Sequence, residues 1–528
     1  MKEIKFEEMT LRQKLSFVHN ATLNKDCKQE DEDYVIELIR QRAIGSVWVQ
    51  WSVLKPDLIR RRINRIRETA DYPILIITDA ECGFDGYKIG HHNALGRAGK
   101  EEYSYAFGKK LGIMAREIGY NVVCNPLLDL SFSGSNRSFG SNIHDVARLA
   151  KAEARGMHDA GVLTVGKHYP SPIINADTDT HLQESICHQT VEELLATSLY
   201  AYNEMIKEGL LDGIMSGHNV MEKIDPTRPA SLSKAVLNVI REHCGFEGFI
   251  ISDALCMMGI RAKYGHLDPM GMCIEAGNDL ANMYDPTGVE RLQNALYDCY
   301  ERGILSEEAL NKAVKRILQA QHKALELDAQ KATDVSEEEE RLAKSIDADG
   351  VCAQVDDGLP PSIPQDGKHL FILMADNEYL NPKAELGADT FSGNWHKPEL
   401  LEKKLLELFP KSDVKIIYQF PTQGQCIRVI NGSFGYDQVV FITYSEFLAY
   451  TGAECFTNRF INIVNSMQYT NRISTIVHYG NPMVMQALPH ISRKILGACS
   501  TSSTLACLEV LAGIREAKGR LPYDVKFK

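Results

Sequence analysis

The residues best equipped for chemistry in this chain sit at the ends of apolar runs. YPILIIT meets Asp79 and Glu81, NVVCNPLLDL carries Asn125 and Asp129 with Arg137 following, and GVLTVG meets Lys167 and His168. LDGIMSG meets His218 and Asn219, and GFIIS meets Asp253. One such residue is equally well a helix cap, but five runs ending alike point to one shared polar pocket. Asp253 leads the set. It closes an apolar run and precedes ALCMMGI, so its carboxylate either attacks an electrophilic carbon or N-caps the next helix.

The polar stretch INADTDTHLQ follows KHYPSP and reads as a loop over the same pocket. Asp179 and His181 are two residues apart, close enough in a turn for the carboxylate to hold one imidazole nitrogen. That contact fixes the tautomer and raises the basicity of the other nitrogen, which suits a general acid/base near neutral pH. The alternatives are an Asx-type turn with an exposed histidine, or a metal site built from Asp177, Asp179 and His181. No fourth ligand follows at metal spacing, so no metal is expected. Lys167 could form a Schiff base with a carbonyl substrate, as in an aldolase-like lyase. Flanked by His168, Asp79 and Arg137, it reads instead as a paired, charged lysine. Arg137, in NRSFG, is either a loop ion pair or a bidentate hold on a polar ligand.

These residues need a scaffold, and the apolar pattern supplies one. From residue 1 to about 330, the runs AIGSVWVQW, YPILIITDA, GYNVVCNPLLDL, GVLTVGKHYP, LDGIMSGHNV and FEGFIISDAL alternate with amphipathic stretches such as SKAVLNVIREHCG. Strands rich in Ile, Val and Leu between helices imply a parallel sheet covered on both faces. Six or more units in this length favour a (β/α)8 TIM-type barrel over an open sheet. Residues 331–365 read as a linker, with an acidic run at Glu337–Glu340 and prolines at 360, 361 and 364. Residues 366–528 carry HLFILMAD, DVKIIYQF, QVVFITYS, ISTIVHYGNP and KILGACS, which predict a smaller three-layer α/β/α sandwich. This block holds no GxGxxG and no Walker A lysine, so it gives nucleotide binding little support.

Composition narrows the function classes. The 528 residues, 44% hydrophobic and 24% charged, match a folded globular protein. With 58 basic and 70 acidic residues the net charge is −12, which argues against a dedicated partner for nucleic acid or anionic membrane. Thirteen cysteines lie scattered without CxxC pairs, and Cys256, Cys273 and Cys352 read as buried thiols. The first residues, MKEIKFEEMTLRQKLSF, lack the apolar core of a signal peptide, and no apolar run reaches membrane-span length. The chain reads as cytoplasmic, so the sequons at Asn20, Asn136 and Asn431 carry little weight.

Taken in order, these motifs resemble glycoside hydrolase family 3, particularly its β-N-acetylglucosaminidase branch. The resemblance runs through EEMTLRQKLSF, TDAECG, LGIMAREIGYNVVCNPLLDL, NRSFG, GKHYP, the DTH triplet, IMSGHNV, RPASLS, GFEGFIISDALCMMGI and AGNDL, and so spans nearly all of the first block. It implies a retaining exo-β-glycosidase that releases terminal β-linked N-acetylhexosamine through a covalent glycosyl-aspartate. Asp253 corresponds to the nucleophile, His181 to the acid/base and Asp179 to its partner. Asp79, Arg137, Lys167, His168 and His218 correspond to positions that grip the terminal sugar. The histidine would replace one of the two carboxyl groups of the usual retaining enzyme.

Two departures stand out. The family usually reads KHFPGHG where this chain has KHYPSPI, and D-x-E-G-G where this chain has TDAECG, with Cys82 in place of a glycine. The second block resembles the domain that follows the barrel in many members, where the β-glucosidase branch takes its acid/base; Glu446 and Glu454 are the glutamates at issue. With DTH intact that domain needs no catalytic role. The expected ligand is a small oligosaccharide or glycoside, with no cofactor, no nucleic acid and no membrane; a homodimer is one option for its assembly. The other readings are a β-glucosidase, β-xylosidase or glycoside phosphorylase of the same family, or an inactive sugar-binding homologue.

Overall fold

The computed structural model describes residues 2–51, 55–131, 137–173, 179–284, 288–330, 334–375, 398–445, 455–469, 473–525 and 527. Contacts divide the chain into two units. The first comprises Met1–Lys88, Glu101–Leu130 and Asn142–Ala343, and the second Ile89–Lys100, Ser131–Ser141 and Lys344–Lys528.

The first unit is a nearly closed barrel of eight parallel strands: β1 (His19–Leu23), β2 (Ser46–Val49), β3 (Leu75–Thr78), β4 (Val122–Val123), β5 (Leu163–Tyr169), β6 (Gly213–Ser216), β7 (Phe249–Ser252) and β8 (Ala281–Met283). Neighbours pair in chain order, and β8 returns to β1 with His19 opposite Ala281. A single bridge between Ile251 and Leu280 joins β7 to the approach to β8. Strands such as LIIT and FIIS are buried along their whole length, as a sheet covered on both faces requires. HNATL and ANM, the first and last strands, are too polar to stand out by hydropathy. Their polarity is used inside the barrel: Asn20 Nδ2 donates to Asn282 Oδ1 at 3.3 Å, and the Ser46 hydroxyl donates to Asn20 Oδ1 at 2.8 Å. Asn20 is therefore a fully buried barrel residue.

The barrel floor repeats one device. A side chain just before an even-numbered strand accepts an amide near the start of the strand before it. Asn121 Oδ1 takes Ile76 N–H at 2.7 Å, Asp212 Oδ2 takes Thr164 N–H at 2.8 Å and Asp279 Oδ2 takes Ile250 N–H at 2.8 Å. Asp279 is fully buried and also faces Arg241 at 3.2 Å and Arg316 at 3.3 Å. Helices close the outer ring with ordinary signals. Ser233 caps Lys234–Cys244, which Gly245 ends in the left-handed region at φ +68, and Ser306 caps Glu307–Ala329.

The second unit holds a six-stranded sheet of β9 (Cys352–Val355), β10 (His369–Ala375), β11 (Asp413–Tyr418), β12 (Gln438–Ser445), β13 (Ile473–Gly480) and β14 (Arg493–Gly497). Its order is β9-β14-β13-β12-β10-β11, parallel except where β9 runs antiparallel on β14. The five parallel strands are the five runs read from the sequence. Leu370, Phe371, Ile372 and Leu373 have no exposed surface, so β10 is covered on both faces. Helices Pro398–Leu408, Gln423–Asn431, Asn458–Gln468 and Thr501–Leu511 fall between or after the strands. The stretch read as a linker carries structure of its own, the helix Glu337–Asp349 and the edge strand β9. Among the described residues no helix is long and apolar enough to cross a membrane.

Two outcomes follow from the buried charges. Asp279→Ala strands Arg241 and Arg316 without their carboxylate, and should cost about 3–5 kcal/mol in urea unfolding. His19 in the barrel and His478 in the second unit are both fully buried, and burial lowers each ring to about 3. A depressed histidine means that stability is intact above the unfolded value of about 6.5 and is lost as pH falls towards the folded one. The thermal midpoint should therefore drop from about pH 6.5 downwards, and His19→Gln should flatten part of that slope.

Candidate active site

The site grows from the C-terminal end of β7. Asp253 N–H donates to Ser216 O at 2.9 Å, and Leu255 N–H to Asn282 O at 2.9 Å, so the segment after β7 is laced to β6 and β8. The next helix, Met258–Tyr264, starts only at Met258 and has Met257 as its N-cap, without a side-chain cap. Asp253 is thus not the cap of that helix. Its Oδ1 accepts the adjacent Ala254 N–H at 2.7 Å. Burial alone would raise this carboxyl, but the facing imidazoles of His168, His218 and His181, with the Ala254 amide, hold it at about 2. It is an anion throughout the neutral range.

Lys167 lies towards the end of β5 with 1% of its side chain exposed. Its Nζ is 2.5 Å from Asp79 and 2.7 Å from Glu81, the two acids that follow β3. An ammonium clamped by two carboxylates is a poor amine nucleophile, which removes the basis for Schiff-base chemistry. Asp79 is raised by burial, against the pull of Lys167, with Glu81 and Asp253 adding to the rise. Just after these acids the chain keeps Gly83 at φ +100, where a Cβ would lie 2.3 Å from Tyr87 O, while Cys82 is buried.

His168 is gripped twice by Asp129: its N–H donates to Oδ1 at 3.0 Å, and Nδ1 lies 2.8 Å from Oδ2. Asp179 grips His181 in the same manner, taking the backbone N–H at 2.9 Å and Nδ1 at 2.8 Å, both on Oδ1. Asp179 is buried, and 21% of the His181 side chain is exposed. This turn docks on the helix that follows Asp253, with Met258 N–H donating to His181 O at 2.9 Å. Gly259 permits the approach, since a Cβ there would lie 2.9 Å from Gln183 O and 3.0 Å from Thr180 O. The DTH turn and Asp253 are thereby tied to one short segment. His218 is buried with both nitrogens engaged, Nδ1 by the Ser231 hydroxyl at 2.8 Å and Nε2 by Ala254 O at 3.1 Å. Burial lowers its ring.

Asp79, Lys167, His168, Asp179, His181, His218 and Asp253 all belong to the barrel unit. Arg137 lies on Ser131–Ser141, which clusters with the second unit, and is half-buried. Asp177, Asn136, Glu446 and Glu454 lie outside the described residues. Among the described residues no group of three or more His, Cys, Asp or Glu side chains is arranged to hold a metal. Two contributors had drawn no assigned role from the sequence: Glu81, the second carboxylate on Lys167, and Asp129, the holder of His168. Their places at strand ends were visible, but pairing across strands was not.

Comparison with known proteins gives this geometry a family. Residues 10–320 match the model for the glycosyl hydrolase family 3 N terminal domain. A β-hexosaminidase of Tolumonas auensis is 32% identical over 233 residues, covering 41% of this chain and 68% of that protein. A β-hexosaminidase of Haemophilus influenzae (strain Rd) is 28% identical over 271 residues, covering 48% of this chain and 76% of that protein. In fold, the chain is similar to a family 3 β-N-acetylglucosaminidase from Paenibacillus sp. str. FPU-7, with a TM-score of 0.80 at 23% identity, over 98% of this chain and 100% of that one. It is also similar to the β-glucoside phosphorylase BglX, with a TM-score of 0.77 at 21% identity, over 98% and 94%. With a family model covering more than half its length, the chain belongs to glycosyl hydrolase family 3 and is a glycoside hydrolase.

Proposed function

We propose that the enzyme is a retaining exo-β-glycosidase that removes a terminal β-linked N-acetylglucosamine from small oligosaccharides or glycosides. The observation that carries this reading is the tie between the DTH turn and the segment that begins with Asp253 after β7, with His181 Nδ1 held by the buried Asp179. In the first step a carboxylate oxygen of Asp253 bonds to the anomeric carbon. The bond to the leaving oxygen breaks, its electron pair departs with the aglycone, and His181 supplies the proton. In the second step water gives a proton back to His181 and its oxygen displaces Asp253 from the anomeric carbon. Asp179 steadies the imidazolium from which the proton leaves and to which it returns.

Asp79, Lys167 and His168 are proposed to grip hydroxyls of the sugar, each already oriented by a charged neighbour. For His218 the proposal shifts from the sugar to the backbone: with both nitrogens engaged, it holds the Ala254 carbonyl beside the nucleophile. The choice of N-acetylglucosamine draws on the DTH triplet and on the β-hexosaminidases among the relatives.

His181→Ala tests the assignment. Activated aryl N-acetylglucosaminides need little protonation on leaving and should lose less than about tenfold in kcat/KM, while poor leaving groups should lose about a hundredfold or more. Equal losses on both would contradict the acid/base role. The same assay with and without inorganic phosphate separates hydrolysis, which needs none, from phosphorolysis; a rate that depends on phosphate would overturn the hydrolytic reading.

A further inference from the structure

We propose that Ser171 is a positioning residue of the sugar site: its buried hydroxyl relays a hydrogen bond from Tyr202 to Asp129 and so locks the ring of His168. The inference rests on the reading of His168 as a sugar ligand and adds the group that holds it in place.

The backbone raises the question. Ser171 sits at φ +52, a region in which a residue other than glycine is held at a cost. The turn itself needs no side chain, because it is closed by Ser171 N–H donating to His168 O at 2.6 Å. Glycine would serve the turn better. What serine adds in exchange for the strain is its hydroxyl.

That hydroxyl is 2.9 Å from Asp129 Oδ1, 3.0 Å from Tyr202 Oη and 3.0 Å from His168 O, and Ser171 is only 2% exposed. It has one proton to give. Tyr202 is fully buried, and burial pushes its phenol far above the usual range, so it stays a neutral donor. The arrangement that uses every group has the Tyr202 hydroxyl donating to Ser171 Oγ and the Ser171 hydroxyl donating to Asp129 Oδ1. Oδ1 then carries both Ser171 and the His168 amide, while Oδ2 is left for the imidazole Nδ1–H. With its first oxygen pinned by two donors, the carboxylate resists rotation, and the imidazole plane and tautomer are fixed with it. Without the serine, Oδ1 loses a donor.

Ser171→Gly separates positioning from mere structure because it moves stability and activity in opposite directions. Glycine relieves the backbone, so the melting temperature should hold or rise. Loss of one hydrogen bond to a charged group should lower kcat/KM about tenfold, mainly through KM. Tyr202→Phe cuts the relay at its far end and should produce a smaller loss in the same parameter. In 15N-histidine-labelled protein the His168 ring should show a single tautomer protonated on Nδ1, and Ser171→Gly should mix the two tautomers. Unchanged kcat/KM and an unchanged His168 signature in Ser171→Gly would overturn the proposal. Failure of the wild-type protein to cleave any glycoside would count against the functional reading alone, since the tautomer measurement still reads the relay.

Discussion

A buried ammonium must be answered by negative charge, and the mouth of this barrel is organised around that demand. Lys167 is almost wholly withdrawn from water, and Asp79 and Glu81 close on it from the end of β3. Once that cluster is fixed, the lysine is already neutralised by two acids. Asp253, the proposed nucleophile, is instead lowered by the imidazoles of His168, His218 and His181 against the rise that burial brings, whereas Asp79 is raised. The two acids thus shift in opposite directions, Asp79 upwards and Asp253 downwards.

Two of the imidazoles are in turn held by acids of their own. Asp129 holds His168 and Asp179 holds His181, each by a backbone amide and a ring nitrogen together. Double attachment sets both the position of the ring and the nitrogen that carries the proton. The barrel floor obeys the same economy, since Asn121, Asp212 and Asp279 each use one acceptor to register one strand on the next. Polar side chains at the floor align the strands, and those at the mouth align the histidines.

Much of this was legible in the residues. Six barrel strands and five sheet strands stood out as apolar runs, and Asp253 could be picked out because it ends one of them. β1 and β8 were hidden because their inward side chains are asparagine and their hydropathy is that of a loop. β9 was hidden because it is an edge strand, half-exposed and short, inside a stretch that read as linker. The assignment of residues 89–100 and 131–141 to the second unit was beyond reach, since each interrupts a β/α unit without any shift in composition. Glu81, Asp129 and Ser171 were visible as polar residues, but their roles depend on partners far along the chain. Asp129 is 39 residues from His168 and 42 from Ser171. Spacing along a chain reports local pairs such as Asp179 and His181; it carries no signal for pairs made across a barrel.

The central claim is that Asp253 bonds covalently to the anomeric carbon of the sugar. Incubation with a fluorosugar that slows breakdown of the glycosyl-enzyme, followed by peptide mass analysis, tests it most directly. The account predicts a stoichiometric mass increase on the peptide containing Asp253, absent in Asp253→Asn. A label on any other peptide, or steady turnover of glycosides with no label at all, would contradict it.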